Sequence, residues 1–200
     1  MAVVPVSRWS DSLNESVGLS LIGYRGAGKS AIGRRLSLLA ARPFFDLDTE
    51  IERRRGRKIS LVFAEEGEPA FRDYEQAALQ EVVFGASGAI IATGGGAILR
   101  PENRLVLRRY GPVVWLDAPV DVLAARLAAE RSDRPALTNL GVLGEIATVL
   151  ERRLPLYRET ADHLVSVAEK TIEEIAQEIL VWWESWSGRS DADVAERSQA

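Results

Sequence analysis

Cysteine is absent from the 200-residue chain, and histidine occurs once, at His163. The first absence excludes disulfides, zinc–thiolate sites and a thiol nucleophile, and it is compatible with a reducing compartment. The second removes His-based triads and multi-histidine metal sites, leaving His163 a structural expectation. Long apolar runs are also missing, so nothing approaches the ~20 residues of a membrane span. The N-terminus has no basic stretch followed by an apolar one, and Asp11 and Glu15 do not suit a transit peptide. A cytoplasmic protein without membrane contact is expected. Lysine is scarce: 25 basic residues include only Lys29, Lys58 and Lys170, so a single arginine says little by itself. The net charge of −4 argues against a general nucleic-acid surface.

What is present begins with Gly-Tyr-Arg-Gly-Ala-Gly-Lys-Ser at residues 23–30. It follows an apolar run and precedes a helical pattern, which is the setting of a phosphate-binding loop. Backbone N–H groups of a Gly-rich turn converge on phosphate oxygens, and the next helix adds its positive end. Gly26, Ala27, Gly28, Lys29, Ser30 and Ala31 are the expected nucleotide contacts. Lys29 is expected to reach the β- and γ-phosphates, and the Ser30 hydroxyl to ligate Mg²⁺.

Around this loop the pattern alternates. Strands are expected over residues 17–23, 43–46, 89–93, 112–116 and 163–167. Helices are expected from the loop to about 41, over 49–84 with breaks near Gly56 and Gly67, and over 101–109, 119–129 and 141–154. Pro155 closes the last of these. Thr171-Ile172-Glu173-Glu174 reads as a capping box opening a final helix. The alternation means an α/β fold with a parallel sheet and ligands at its carboxyl edge. Residues 17–187 form one domain, 1–16 a flexible extension and 188–200 a disordered tail. A charged loop with Arg131, Asp133, Arg134 and Pro135 marks a segment of its own at about 130–140.

Three features narrow the chemistry. Asp46 and Asp48 stand two apart at the end of the second strand, where extended backbone aims both carboxylates one way. They suit a metal and an acceptor hydroxyl, and equally an acidic helix N-cap. Gly94-Gly95-Gly96 ends the third strand and lets a small ligand lie against backbone, unless it is a plain loop. Neither Asn-Lys-x-Asp nor Leu-Ser-Gly-Gly-Gln occurs, which disfavours a GTPase switch and a transporter ATPase. The run Arg53-Arg54-Arg55-Gly56-Arg57-Lys58 suits a helix C-terminus in solvent better than a nucleic-acid patch. Glu65 and Glu66 read as a solvated helix end, and Trp182, Trp183 and Trp186 as packing.

Residues 23–30, Asp46-x-Asp48, Phe71-Arg72-x-x-Glu75, Gly94–Gly96, Arg134-Pro135 and Arg153-Leu-Pro-Leu-Tyr157 follow the order and approximate spacing of shikimate kinases. The chain resembles that family over about residues 17–185. The resemblance implies a nucleoside-monophosphate-kinase-like P-loop fold: a three-layer α/β structure with a five-stranded parallel sheet in order 2-3-1-4-5 and a mobile lid at about 130–140. It implies transfer of the ATP γ-phosphate to the 3-hydroxyl of shikimate, in aromatic amino-acid biosynthesis, with one Mg²⁺ and a monomeric enzyme. Asp46 would hold Mg²⁺ through its waters, and Asp48 would accept the substrate hydroxyl. Arg72 and Arg153 would clamp the carboxylate, with Glu75 orienting Arg72. Gly94, Gly95 and Gly96 would approach the ring. Lys29, Asp48 and Arg134 form the implied catalytic set, Arg134 closing over ATP, and Arg126 would stack near adenine. The lid departs from the pattern, with Ala136-Leu137-Thr138 after Pro135 in place of two leucines, and the stretch to Arg153 is expanded. A kinase for another hydroxy acid such as gluconate, or a catalytically silent binding protein, is the alternative.

Overall fold

A computed structural model describes residues 17–129 and 141–186, with the backbone alone at 141 and 142. The proposed lid, including Arg134, and both terminal extensions lie outside the described residues. The elements run β1 (Leu19–Ile22), α1 (Lys29–Ala40), β2 (Phe44–Asp46), α2 (Leu47–Arg55), α3 (Ile59–Glu65) and α4 (Gly67–Gly85). There follow β3 (Ile90–Ala92), α5 (Pro101–Tyr110), β4 (Val113–Asp117), α6 (Val120–Ala129), α7 (Gly141–Thr160), β5 (His163–Ser166) and α8 (Ile172–Ser185). A short 3-10 turn over Ala97–Leu99 was not expected; it turns the chain out of the triple glycine.

The sheet is parallel in order β2-β3-β1-β4-β5, as the resemblance implies. Strand periodicity explains its two buried faces. Leu19 and Leu21 of β1, with Val114 and Leu116 of β4, enter one core with Ile32 and Leu36 of α1 and Ile175 and Ile179 of α8. Ile22, Val113 and Trp115 enter the other, with Ile51, Val62, Leu79 and Tyr157. Helices on both faces complete three layers. Register sets the carboxyl ends level: Ala92 lies beside both Leu21 and Asp46. The chain after β1, β2 and β3 therefore emerges at one edge.

Local chemistry explains the ends. Thr171 accepts from the Glu174 amide while the Glu174 carboxylate accepts from the Thr171 amide, so the capping box forms as expected. Two expectations are corrected. Asp48 is not extended: β2 stops at Asp46, whose side chain caps α2 by accepting from the Thr49 amide at 3.2 Å, and Asp48 sits in the first helical turn. Pro155 does not close α7, which continues to Thr160. Proline removes one amide, and the carbonyl it orphans belongs to exposed Glu151, which water can satisfy. Fully buried Tyr157, stacked on Trp115 at 5.6 Å, anchors the extra turn.

Four of the cations in the Arg53–Lys58 run pair with nearby carboxylates, and Arg55 lies on Tyr74. Arg53 and Arg54 pair with Glu50, Arg57 with Glu65 and Glu66, and Lys58 with Glu52. Glu65 and Glu66 are thus ion-pair partners rather than merely solvated. Trp183 is buried in the core, and Trp182 stacks on His163 at 4.5 Å, which fits the packing expectation for both.

Candidate active site

Two adjoining cavities open at the carboxyl edge of the sheet. The wider, about 560 Å³, is lined by Arg25, Gly26, Gly28, Lys29, Ser30 and Ala31 of the phosphate loop together with Asp46, Asp48 and Thr93. Gly28 holds φ 91° as the residue before α1, a left-handed value that a side chain would strain. This turn lets the first amides of α1 face the cavity, where an anion meets the helix's positive end. Lys29 is nearly buried and donates to the carbonyls of Gly23 at 2.9 Å and Tyr24 at 2.8 Å. Its ammonium therefore closes the loop on itself, within reach of the cavity it lines. The Ser30 hydroxyl donates to Asp46, whose other oxygen caps α2. Asp46 accordingly serves as the helix cap the sequence left open, and it also holds the hydroxyl of the expected metal ligand.

A hard-cation site fits this donor set. Ser30 and Asp46 offer oxygen alone, as Mg²⁺ prefers, and Mg²⁺ commonly keeps waters and takes phosphate oxygens for its remaining positions. Among the described residues no group of three or more His, Cys, Asp and Glu could hold a metal.

The narrower cavity, about 130 Å³, is lined by Asp48, Phe63, Phe71, Arg72, Glu75, Gly94–Gly96 and Arg153. Arg72 from α4 and Arg153 from α7 meet here. A Cβ on Gly96 would lie 2.3 Å from the Arg72 guanidinium, so only glycine leaves the arginine its place. Arg153 donates to the Gly95 carbonyl at 3.0 Å, and Tyr157 donates to the same oxygen at 2.7 Å. Arg72 is held by Glu75 at 2.7 Å and Glu68 at 2.8 Å, three and four residues away on its own helix. Glu75 is fully buried, and its second oxygen makes no hydrogen bond among the described residues. Burial pushes its carboxyl above the usual range, while Arg72 pulls it back. Burial also pushes the Tyr157 hydroxyl up to about 12, so it remains a donor at any working pH. Phe63 and Phe71, with centroids 4.6 Å apart, supply an apolar wall.

Asp48 lines both cavities. Its Oδ1 would lie 3.1 Å from a Cβ on Gly94, beside a Glu75 oxygen at 2.5 Å, so a side chain at Gly94 would collide with both carboxylates. Arg126 donates to the Gly26 carbonyl at 3.2 Å, which sets it on the rim of the phosphate loop. Apart from Ala27, which is buried and lines neither cavity, the expected site residues within the described chain gather at this edge. Tyr24, Arg25, Glu68 and Tyr157 also belong and were not singled out. For Tyr157 and Glu68 the signal was available: each stands four residues from an expected arginine on one helix face.

The shikimate kinase family model matches residues 25–184. The chain belongs to the shikimate kinase family. It is 43% identical to the shikimate kinase of Rhodopirellula baltica over 176 residues, covering 86% of this chain and 94% of that protein. Shikimate kinase from Acinetobacter baumannii, solved in complex with shikimate, superposes with a TM-score of 0.81 at 35% identity. That match covers 90% of this chain and 98% of that one. A gluconokinase from Sinorhizobium meliloti shares the fold alone, with a TM-score of 0.54 at 18% identity over 94% of this chain and 96% of that one. Membership in the shikimate kinase family thus outweighs the gluconate alternative.

Proposed function

We propose that the chain transfers the γ-phosphoryl group of ATP to the 3-hydroxyl of shikimate. One observation carries the reading. Arg72 and Arg153, remote in sequence, converge on the triple glycine in a cavity that shares Asp48 with the phosphate-loop groove. A carboxylate held at one end of the small cavity would leave its hydroxyls facing Asp48 and the groove. The guanidinium suits that grip, being planar, always charged and able to pair through two N–H groups.

In this reading the loop amides and Lys29 bind the β- and γ-phosphates, Lys29 exchanging its carbonyl partners for phosphate oxygens. Ser30 and Asp46 would hold Mg²⁺, which supplies charge neutralisation between the phosphates when bound. The acceptor oxygen forms a new bond to phosphorus, and the bond to the β,γ-bridging oxygen breaks. The electron pair leaves with ADP, and the hydroxyl proton passes to the Asp48 carboxylate. Glu75 and Glu68 orient Arg72, and Tyr157 fixes the Gly95 carbonyl that also receives Arg153. The resemblance assigns Arg134 to the transferring phosphate and Arg126 to adenine, and the position of Arg126 against Gly26 supports the latter. The working unit is taken as a monomer and the compartment as the cytoplasm. No described helix is long and apolar enough to cross a membrane.

ADP release measured with shikimate, with gluconate and with no acid tests the assignment. Release should depend on shikimate. Equal release with no acid, or preference for gluconate, would overturn the substrate.

A further inference from the structure

Arg25 occupies one of the four positions that the phosphate-loop motif leaves open, so phosphate binding by the loop does not itself call for a guanidinium there. The surroundings of this arginine are unusual within the site. Its backbone nitrogen lies 3.1 Å from where a Cβ on Gly95 would stand, so phosphate loop and triple-glycine turn touch at this residue. Of the described cations, it alone lines both cavities: Arg72 and Arg153 line only the narrower, Lys29 and Lys58 only the wider. Those four are engaged. Arg72 holds Glu68 and Glu75, Arg153 the Gly95 carbonyl, Lys29 the carbonyls of Gly23 and Tyr24, and Lys58 the Glu52 carboxylate. Arg25 makes neither hydrogen bond nor ion pair among the described residues. The carboxylate common to both cavities is Asp48, so one anion and one cation stand where the two spaces join.

We infer that Arg25 is a catalytic residue that donates to the non-bridging oxygens of the phosphoryl group in transit. The reasoning rests on the two cavities being donor and acceptor sites, as proposed above. The migrating group must pass their junction, and its three non-bridging oxygens carry the charge that spreads in a loose transition state. An arginine with no hydrogen bond or ion pair among the described residues gives up none of those contacts when it engages them. Its contribution therefore grows on passing from bound substrates to transition state, which is the difference that raises turnover. The phosphoryl carries its oxygens to the acceptor, so Arg25 can follow them while ADP departs. A carboxylate contact would behave otherwise, because it forms with the bound substrate and appears in KM.

The test uses the full chain with Arg25→Met, which keeps length without charge, and Arg25→Lys. In steady-state ADP-release assays Arg25→Met should lower kcat about 100-fold, with the KM for shikimate and for ATP each within about threefold. Arg25→Lys should recover part of the loss. A second measurement titrates ADP, Mg²⁺, aluminium fluoride and shikimate, a mimic of the phosphoryl in transit, against ADP and shikimate alone. Arg25→Met should weaken the mimic complex by a similar factor and leave the plain ternary complex unchanged. An unchanged kcat, an unchanged mimic affinity, or a rise in shikimate KM at constant kcat would overturn the inference, the last by moving Arg25 to the acceptor carboxylate. Failure of the underlying reading is distinguishable. It would appear as wild-type protein whose ADP release ignores shikimate.

Discussion

The two cavities are built by opposite means. The wider groove rests on one stretch of backbone: residues 23–30 fold into a turn before α1, and Arg25, Gly26, Gly28, Lys29 and Ser30 of that stretch line it. The acceptor cavity is side chain: Asp48 from α2, Arg72 and Glu75 from α4, and Arg153 and Tyr157 from α7 reach one point over a glycine turn. A backbone site is specified by adjacency in sequence and tolerates little rearrangement. A side-chain site needs correct packing of several helices on the sheet before any residue finds its partner.

That contrast can be strained experimentally. Lys29→Ala attacks the backbone site and should have the largest effect, lowering kcat/KM for ATP on the order of 10³-fold. Because Lys29 also ties the carbonyls of Gly23 and Tyr24, nucleotide binding by calorimetry should weaken as well. Retained turnover would show that the loop works without its cation.

Arg72→Ala attacks the side-chain site. The shikimate KM should rise roughly 30- to 100-fold while the ATP KM holds, the loss expected when one partner of a charged contact is removed. Equal damage to both constants would mean that the two cavities are not separable. Tyr157→Phe is smaller still. Losing the bond to the Gly95 carbonyl should cost about 1 kcal/mol of stability in denaturant titration and raise the shikimate KM by a few-fold.

Glu75→Gln sharpens the comparison through pH. Burial raises the folded carboxyl above its usual 4.5, so the native state holds that proton longer than the unfolded chain. The corresponding stability is fully present below 4.5 and lost as pH rises through the elevated value. Melting temperatures of wild type minus Glu75→Gln should therefore fall across that window. A flat difference would mean that Glu75 titrates as an ordinary carboxyl.

Much of the fold was legible because its signals are short-range. Apolar runs placed all five strands, and the capping box placed the start of α8. The two misreadings differ in cause. Pro155 looked like a terminator because proline breaks helices locally; it does not break α7, since Tyr157 packs on Trp115 and the orphaned carbonyl belongs to an exposed residue. Asp48 looked extended because Asp46 ends a strand, yet Asp46 itself caps a helix that starts one residue later. The first outcome depends on what packs against α7; the second is local, and the sequence had left the helix cap open as an equal alternative.

The sequence alone determined the anion-binding turn, since the glycines, the amides and the lysine that form it are contiguous and their geometry follows from backbone sterics. It also determined the alternation that makes the sheet parallel. Tertiary structure decided which of 22 arginines reach the cavities: Arg72 is held by two glutamates, Arg153 by a glycine carbonyl, and Arg25 lines both. A guanidinium is chemically the same at every position, and only the partners that folding brings within 3 Å distinguish one from another.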